Sequence, residues 1–224
     1  MRLSIIIPVL NEAPEIARYL LELQGYRDAG HEVILVDGGS SDATLLQAQG
    51  QVDRIVQSGR GRARQMNVGA EQAQGDVLLF LHADTHLPAN ADELIRKALE
   101  AGRVWGRFDV RLSGEAWALR IIETLMNWRS RFTGIATGDQ AMFVLREAFS
   151  HLGGFAEIPL MEDIELSQRL KKISAPVCLH ARVITSSRRW ETQGILHTVL
   201  LMWGLRLAWF LGVSPARLHR IYYR

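Results

Sequence analysis

The first hundred residues alternate between short apolar runs and longer segments in which apolar residues recur every three or four positions. The runs predict buried strands and the segments between them predict helices. Strands are expected at 3–8, 31–37, 54–58 and 76–84. Helices are expected at about 16–23, from 43 onward, through 66–70 and at 92–101. Strands that alternate with helices in this way predict a mostly parallel sheet covered by helices on both faces.

The second half of the chain keeps its apolar content but loses the regular alternation. Strands are expected at 104–112 and 140–146, and helices at 115–128 and 162–172. Neither a repeat nor a long linker separates these segments from the first half. The pattern predicts one α/β domain at 1–191 and a C-terminal helical extension at 192–224.

The extension contains one long apolar stretch, 194–213, whose twenty residues would span about 30 Å as a helix. His197 and Arg206 interrupt it, and a central arginine is costly in lipid. Aromatic residues and flanking arginines fit a helix that lies at a membrane surface. Three alternatives stay open: packing on its own domain or on a second subunit, lying at the membrane interface, and spanning the membrane.

Composition narrows the class of protein. Of the 224 residues, 48% are hydrophobic and 22% are charged, which excludes a disordered or fibrous chain. A net charge of +2 is too balanced for a protein whose main function is to coat nucleic acid. Cys178 is the sole cysteine, so an internal disulfide is excluded. The N-terminal apolar run is too short for a signal peptide, and a cytoplasmic protein is expected.

Charge is unevenly distributed along the chain. No acidic residue follows Glu191, whereas four arginines do, so 192–224 carries +4 and 1–191 carries +2 minus +4, or −2. This asymmetry indicates a partner for the tail, such as a membrane surface.

Polar side chains follow each of the first four predicted strands. In parallel sheets ligands bind beyond the carboxyl ends of the strands, so these residues predict a common site. They are Asn11 and Glu12, then Asp37 and Asp42, then Arg60, Arg62 and Arg64, and finally His82 and Asp84. The first strand is followed by PVLNEAPE, which lacks the glycines of a dinucleotide or P-loop site, so a nicotinamide or flavin dehydrogenase is disfavoured.

Six sequence segments follow one another in an order that is specific to one protein family. They are SIIIPVLNE, VDGGSSD, GRGRARQMNVGAEQAQGDVLLFLHADT, TGDQAMFV, PLMEDIELSQRL and SSRRW. Together the segments extend from residue 4 to residue 190. In this order the chain resembles the family-2 glycosyltransferases, which are nucleotide-sugar enzymes with the GT-A fold. Within that family, its small size and its GDQ, LMED and RRW segments look most like a bacterial subgroup linked to arsenosugar biosynthesis and radical-SAM gene neighbourhoods.

The resemblance assigns a nucleotide-binding role to residues after the first three strands. Asp37 falls at the family's contact to the nucleotide base, where a carboxylate accepts a charge-assisted hydrogen bond from an imide N–H of a base such as uracil. Pro8, Asn11 and Glu12 would line the same pocket, and Arg62 would reach a phosphate. A UDP-sugar is the favoured donor.

The resemblance also implies a divalent metal, Mn²⁺ or Mg²⁺. Asp84 falls at the last aspartate of the family's D-x-D motif, where a carboxylate and the substrate phosphates hold a hard cation. The first aspartate of that motif is His82 here, and imidazole suits manganese better than magnesium. His82 as a ligand, as a ribose contact and as a packed strand-end residue all stay open.

The acidic pair Glu162–Asp163 matches the family's catalytic carboxylates, and Asp163 falls on the base. An inverting transfer needs one carboxylate to accept the proton of the acceptor hydroxyl. Acidic residues are also common in any first helical turn, so the pair alone leaves both explanations open. Glu162 and, in TGDQ, Asp139 would lie on the acceptor side.

The segment SSRRW resembles the family's Q-x-x-R-W signature, with Ser186 in place of glutamine. Arg189 would bridge the diphosphate, and Trp190 would offer a flat wall to the acceptor or to the closing loop. The partial signature, without a transmembrane bundle, favours transfer of a single sugar.

These observations predict a metal-dependent, inverting glycosyltransferase that moves one sugar from a nucleotide donor to the hydroxyl of a small-molecule or lipid-linked acceptor. Two other classes stay open. A sugar nucleotidyltransferase on a related fold would require a glycine-rich, basic loop after the first strand to bind the triphosphate. A non-catalytic protein would dock on a membrane or a partner through its tail.

Overall fold

A computed structural model of the protein describes residues 1–223; Arg224, one of the four arginines in the tail charge, lies outside them. Within these residues one sheet of eight strands runs through the molecule. The strands are β1 (Leu3–Val9), β2 (Glu32–Asp37), β3 (Arg54–Gln57), β4 (Val77–Phe80), β5 (Thr85–His86), β6 (Trp105–Leu112), β7 (Phe143–Leu145) and β8 (Val177–Thr185). Their order across the sheet is β3-β2-β1-β4-β7-β6-β8-β5.

The sheet has a parallel half and a mixed half. β1 pairs in parallel with β2 and with β4, and β2 pairs in parallel with β3, so the carboxyl ends of these four strands share one edge. β7 is antiparallel to β4 and to β6, β8 is parallel to β6, and β5 is antiparallel to β8. A bulge between Phe108 and Asp109 shifts the register of β6 against β8.

Helices cover both faces of the sheet. They are α1 (Ile16–Glu22), α2 (Gln24–Asp28), α3 (Thr44–Ala48), α4 (Arg62–Gln72), α5 (Ala91–Glu100), α6 (Trp117–Thr133), α7 (Arg146–His151), α8 (Glu162–Ile173), α9 (Arg188–Gln193), α10 (Ile195–Phe210) and α11 (Pro215–Tyr222). A 3₁₀ turn, Gly138–Gln140, lies between α6 and β7.

The alternation of side chains along β1 divides the core in two. Ile5 and Ile7 pack on the face covered by α1, α2 and α5, whereas Ile6 packs on the face covered by α4. On that second face α4 approaches the sheet closely at Gly69. A Cβ there would lie 2.5 Å from Ile6 Cγ2 and 2.8 Å from Val36 Cγ2, so the helix sits where a larger residue would not fit.

The prediction of a mostly parallel α/β sheet is confirmed in its first half, with one difference of length. The apolar run 76–84 forms a strand only over Val77–Phe80. The chain then leaves the sheet in a tight turn, which the Tyr19 hydroxyl holds by donating to the carbonyls of His82 (2.9 Å) and Thr85 (3.1 Å). This turn carries Asp84 out of the sheet.

The mixed half departs further from the expected pattern. The strand expected at 140–146 is only Phe143–Leu145, because the 3₁₀ turn occupies the residues before it. β8 was not predicted. Several of its side chains, including Ile184, are exposed, and its burial does not alternate along its whole length, so the usual signal of a strand is weak.

The C-terminal helices pack on the domain along one side. Leu205 of α10 and Leu218 of α11 are buried against Ile135, Met161 and Ile164. Within residues 1–223, no helix is long and apolar enough to cross a membrane. Of the three alternatives for the extension, the structure shows packing on its own domain. The division of the chain at residue 191 stays a prediction.

Candidate active site

A large cleft opens beyond the carboxyl ends of β1 and β4. Its volume is about 1120 Å³, well above what one small substrate requires. Most of the residues singled out in the sequence contribute to its walls. They are Pro8, Glu12, Arg62, His82, Asp84, Asp139, Glu162, Arg189 and Trp190.

Three of the predicted site residues do not line this cleft: Asn11, Asp37 and Asp163. The buried Asp37 carboxylate accepts hydrogen bonds from the backbone N–H groups of Gly39 and Ser40, all at 3.1 Å. It therefore stabilises the turn after β2. Asn11 is exposed with a φ of 57°, and its side-chain oxygen accepts from the N–H of Ser41 at 2.9 Å. Both residues thus stabilise the loops that follow β1 and β2.

Gln65 is a cleft residue that the sequence did not single out. Its side-chain amide donates to the carbonyls of Val9 and Val36, both at 2.9 Å, and so ties the ends of β1 and β2 together. The residue is buried on α4. Gln65 lies within the GRGRARQMN segment, in which a functional role was predicted for the neighbouring arginines and not for the glutamine.

His82 packs against the TGDQ turn. Its Nδ1 lies 3.6 Å from Oδ1 of Asp139, whose side chain is 48% exposed in the cleft. A Cβ on Gly138 would lie 2.5 Å from the imidazole, so only glycine leaves room for the ring. Burial alone would raise the pKa of Asp139, but His82, together with Arg62 and Arg206, lowers it. The imidazole therefore partners a carboxylate of the acceptor side.

The acidic pair opens α8, as predicted. Asp163 accepts hydrogen bonds at both carboxylate oxygens, from the N–H of Gly138 at 2.9 Å and from that of Ile164 at 2.7 Å. Glu162 is buried but faces the cleft. Burial, followed by the Asp163 charge, raises the pKa of Glu162 to about 7, although Arg62 opposes this. The pair thus holds one carboxyl group that gains and loses a proton near neutral pH.

Replacing Glu162 with glutamine is expected to stabilise the protein above pH 7. The Glu162 pKa rises from 4.5 to about 7 on folding, so the folded state binds this proton more tightly and stability falls as the pH rises between those values. A shift of this size corresponds to about 3 kcal/mol. The variant should melt about 6–12 °C above the wild type at pH 8. The gap should shrink strongly at pH 5, where Glu162 of the folded protein is protonated, and close below pH 4.5, where the unfolded chain is protonated too; a gap of equal size at pH 8 and pH 4 would contradict the raised pKa.

Arginines surround the acidic residues. Arg62, on the first turn of α4, is an exposed residue whose desolvation by the cleft walls would lower its pKa, yet the charges of Glu162, Tyr223, Asp139 and Asp163 outweigh this and raise it. The Arg189 guanidinium stacks on the Tyr222 ring at 3.9 Å, and its Nη1 is buried without a hydrogen-bond partner. Burial lowers the pKa of Arg189. Such a cation suits an incoming phosphate oxygen.

Two further arginines reach the cleft from helices that the sequence did not connect with it. Arg129 of α6 donates from Nη1 to the Ile135 carbonyl at 3.3 Å, while its Nε and Nη2 are buried without partners. Burial, reinforced by the charge of Arg206 on α10, lowers the pKa of Arg129 to about 10. Burial also lowers the pKa of Arg206. In the sequence, only Arg206 stood out, because it interrupts the apolar stretch 194–213.

The donor side of the cleft fits a cation that is held largely by substrate. Across residues 1–223, no three His, Cys, Asp or Glu side chains are grouped to hold a metal ion by themselves. Asp84 is exposed, and its carboxylate has one long contact, 3.4 Å to the Thr85 hydroxyl. Burial, followed by the Asp84 charge, raises the pKa of Glu12. A cation would relieve that repulsion, and one or two carboxylates suffice where phosphates complete the shell.

Comparison of the chain with known sequences gives a consistent result. The family model described as Glycosyl transferase family 2 matches residues 4–153. The chain is 27% identical to the probable glycosyltransferase YdaM of Bacillus subtilis (strain 168), covering 94% of this chain and 55% of that protein. It is 29% identical to a PGL/p-HBAD biosynthesis glycosyltransferase of Mycobacterium bovis (strain BCG / Pasteur 1173P2), covering 88% of this chain and 80% of that one. The chain thus spans just over half the length of the Bacillus relative.

Solved structures give the fold. S. aureus TarS 1-349 in complex with UDP-GlcNAc superposes with a TM-score of 0.67 at 18% identity, over 83% of this chain and 58% of that one. The mannosyltransferase PcManGT from Pyrobaculum calidifontis, in complex with GDP-Man and Mn²⁺, superposes with a TM-score of 0.66 at 18% identity, over 92% and 61%. The predicted GT-A fold is confirmed.

Proposed function

The chain belongs to glycosyl transferase family 2 and is a glycosyltransferase, and on that premise we propose that it moves one sugar from a nucleoside-diphosphate donor to an acceptor hydroxyl with inversion. The proposal is carried by one observation. Residues that the family motifs assign to the phosphates, the metal and the acceptor line a single cleft, among them Arg62, Asp84 and Glu162.

The donor half of the cleft supports a nucleotide sugar. Asp37 and Asn11 fix the turns at the ends of β2 and β1, while Pro8 and Glu12 lie on the wall beside them. Two similar structures hold UDP-GlcNAc and GDP-Man, so the nucleoside diphosphate is common to them and the base differs. We favour UDP as the donor nucleotide, because a similar structure holds UDP-GlcNAc and the family likeness assigns the contact to the base to Asp37, whose carboxylate here stabilises the turn after β2.

The base is assigned to Asp163, which lines a small pocket that shares Arg62, His82 and Glu162 with the large cleft. In the proposed step Asp163 takes the proton of the acceptor hydroxyl, the oxygen forms a bond to the anomeric carbon, and the bond from that carbon to the diphosphate breaks. The electron pair of the broken bond leaves with the diphosphate, near the cations of Arg62 and Arg189. Two backbone N–H groups orient the Asp163 carboxylate, and Glu162 and Asp139 line the acceptor side.

The metal-binding role belongs to Asp84, with Glu12 beside it. A divalent cation bound there with the substrate phosphates would supply positive charge for the leaving diphosphate. Manganese is consistent with the Mn²⁺ bound in the PcManGT structure. His82 lies against Gly138 and Asp139, so we assign it to positioning the acceptor-side turn rather than to the metal.

A thermal-shift titration with UDP, GDP, CDP and TDP, each with and without Mn²⁺, tests this function. A ligand that binds only the folded state raises the melting temperature by mass action. We expect a shift for UDP that grows with Mn²⁺, by several degrees at about a hundred times the dissociation constant. Adenosine monophosphate, which lacks the diphosphate, serves as the control. No shift with any diphosphate would overturn the proposal.

A further inference from the structure

The cleft continues beyond the proposed acceptor side into an apolar slot between α6 and α10. We define the slot by six residues that line it, three from each helix: Ile122, Met126 and Phe132, and Val199, Met202 and Trp203. Trp190 and Val199 pack against the buried cluster that contains Leu119 and Ile122. A sugar, being strongly hydrophilic, gains little from such a surface, whereas a hydrocarbon chain is stabilised by leaving water.

The outer faces of the same helices are apolar and unpartnered. Of the nineteen large hydrophobic side chains that are exposed in the described chain, thirteen lie on α6 or from α10 to the C-terminal end. On α6 they recur on one stripe, with Trp117 76% and Phe132 81% exposed. On α10 they include Leu200 at 64% and Phe210 at 67%. Contiguous exposed apolar surface of this kind marks an interaction site.

The slot opens inside this apolar surface. Leu125, Trp128 and Phe132 of α6, and Trp203 of α10, both line the cleft and belong to the exposed set. A molecule that leaves the slot therefore emerges where the protein surface is most hydrophobic. A ligand that is freely soluble in water would gain no stabilisation from such an apolar exit.

The charge around the apolar surface indicates which partner covers it. No acidic residue follows Glu191, and Arg217 and Arg220 on α11 are exposed. Arg129 and Arg206 line the same cleft, their partial burial lowers their pKa values, and two nitrogens of Arg129 lack partners. Basic and aromatic residues around an apolar face suit an anionic lipid surface.

We propose that the acceptor is a membrane lipid with an anionic headgroup, that its chain occupies the slot, and that α6 and α10 rest on the bilayer from which it enters. This inference rests on the proposed function, because it names the acceptor class of that reaction. The headgroup would lie by Arg129 and Arg206, with its hydroxyl toward Asp163.

Flotation with vesicles tests the surface. We expect the protein to float with vesicles of phosphatidylcholine and phosphatidylglycerol in equal amounts, and more weakly with phosphatidylcholine alone. Trp117→Ser with Phe210→Ser should lower the partition coefficient about tenfold or more, because both side chains would leave the lipid. Leu21→Ser with Leu46→Ser removes side chains of similar exposure (64% and 69%) far from the slot and should leave flotation unchanged.

A soluble lipid analogue tests the slot. Dodecyl phosphate, below its micellar concentration, should raise the melting temperature more than inorganic phosphate or decanol does. Val199→Phe places a ring inside the slot and should abolish that shift, whereas Leu200→Phe, on the outer face, should keep it. Arg129→Gln should bring the shifts by dodecyl phosphate and decanol together.

The outcomes separate this inference from the function on which it rests. If UDP shifts the melting temperature but neither flotation nor a dodecyl phosphate shift is seen, the lipid acceptor is wrong and the transferase proposal stands. Sedimentation that shows a dimer, dissociated by Trp117→Ser with Phe210→Ser, would assign the apolar surface to a second copy and overturn the inference. If no nucleotide binds while vesicles do, the tail docks on membranes and the proposed reaction fails.

Discussion

Replacing Asp163 with asparagine is expected to lower the turnover number by about 10²–10⁴-fold, the usual contribution of a positioned general base. An amide cannot accept the proton of the acceptor hydroxyl. The rate is measured as release of the nucleoside diphosphate from nucleotide sugars that carry the base identified by the titration, with lipid vesicles or water as acceptor. The diphosphate-induced shift in melting temperature should stay, because Asp163 does not line the donor side of the cleft.

Glu162→Gln is the matched comparison, because it alters the neighbouring carboxyl of the same helical turn. Its carboxyl group lies in the cleft with a pKa of about 7, which makes it the competing candidate for the base. We expect Glu162→Gln to lose less activity than Asp163→Asn. If Glu162→Gln abolished turnover and Asp163→Asn did not, the base would be Glu162 and the role that the family motif gives to Asp163 would be wrong.

Asp84→Asn is expected to remove the Mn²⁺-dependent part of the donor shift and to raise the KM for the donor about tenfold or more. The reason is that an amide oxygen is a weaker ligand for a hard cation than a carboxylate is. The measurement is the thermal shift by UDP with and without Mn²⁺, followed by the KM. His82→Gln should keep the Mn²⁺ dependence, because the imidazole packs on the TGDQ turn. The reverse result, in which His82→Gln loses Mn²⁺ dependence and Asp84→Asn keeps it, would make His82 the ligand.

Where apolar residues followed a simple period, the sequence was sufficient to predict the fold. β1, β2 and β3 lie within two residues of their expected positions, and α8 begins at Glu162 as expected. β8 was missed because it is only partly buried and Pro176 precedes it, so neither alternation nor a continuous apolar run marks it. The stretch 194–213 is apolar on every side of the helix. Its pattern therefore could not show that Leu205 faces the domain while Phe210 faces outward.

The residues of the candidate site also fall into those that local sequence could predict and those that it could not. Residues that directly follow a strand, such as Glu12, His82 and Asp84, could be placed from topology, because the parallel strands end at one edge. Motif order assigned Arg189 and Glu162. Arg129 and Arg206 could not be placed in that way, because they meet in the cleft only through the packing of α6 and α10 against the domain. No local pattern fixes such a long-range contact.

Gly138 connects the two halves of the cleft. Its backbone N–H holds the Asp163 carboxylate, and its α-carbon abuts the His82 ring that follows β4. With no side chain between them, a ligand that moved the imidazole would also move the Gly138 N–H that donates to Asp163. Thermodynamic reciprocity then requires that donor and acceptor change each other's affinity by the same factor. Gly138→Ala, whose methyl group would push on the His82 ring, is therefore expected to change the factor by which UDP alters acceptor affinity.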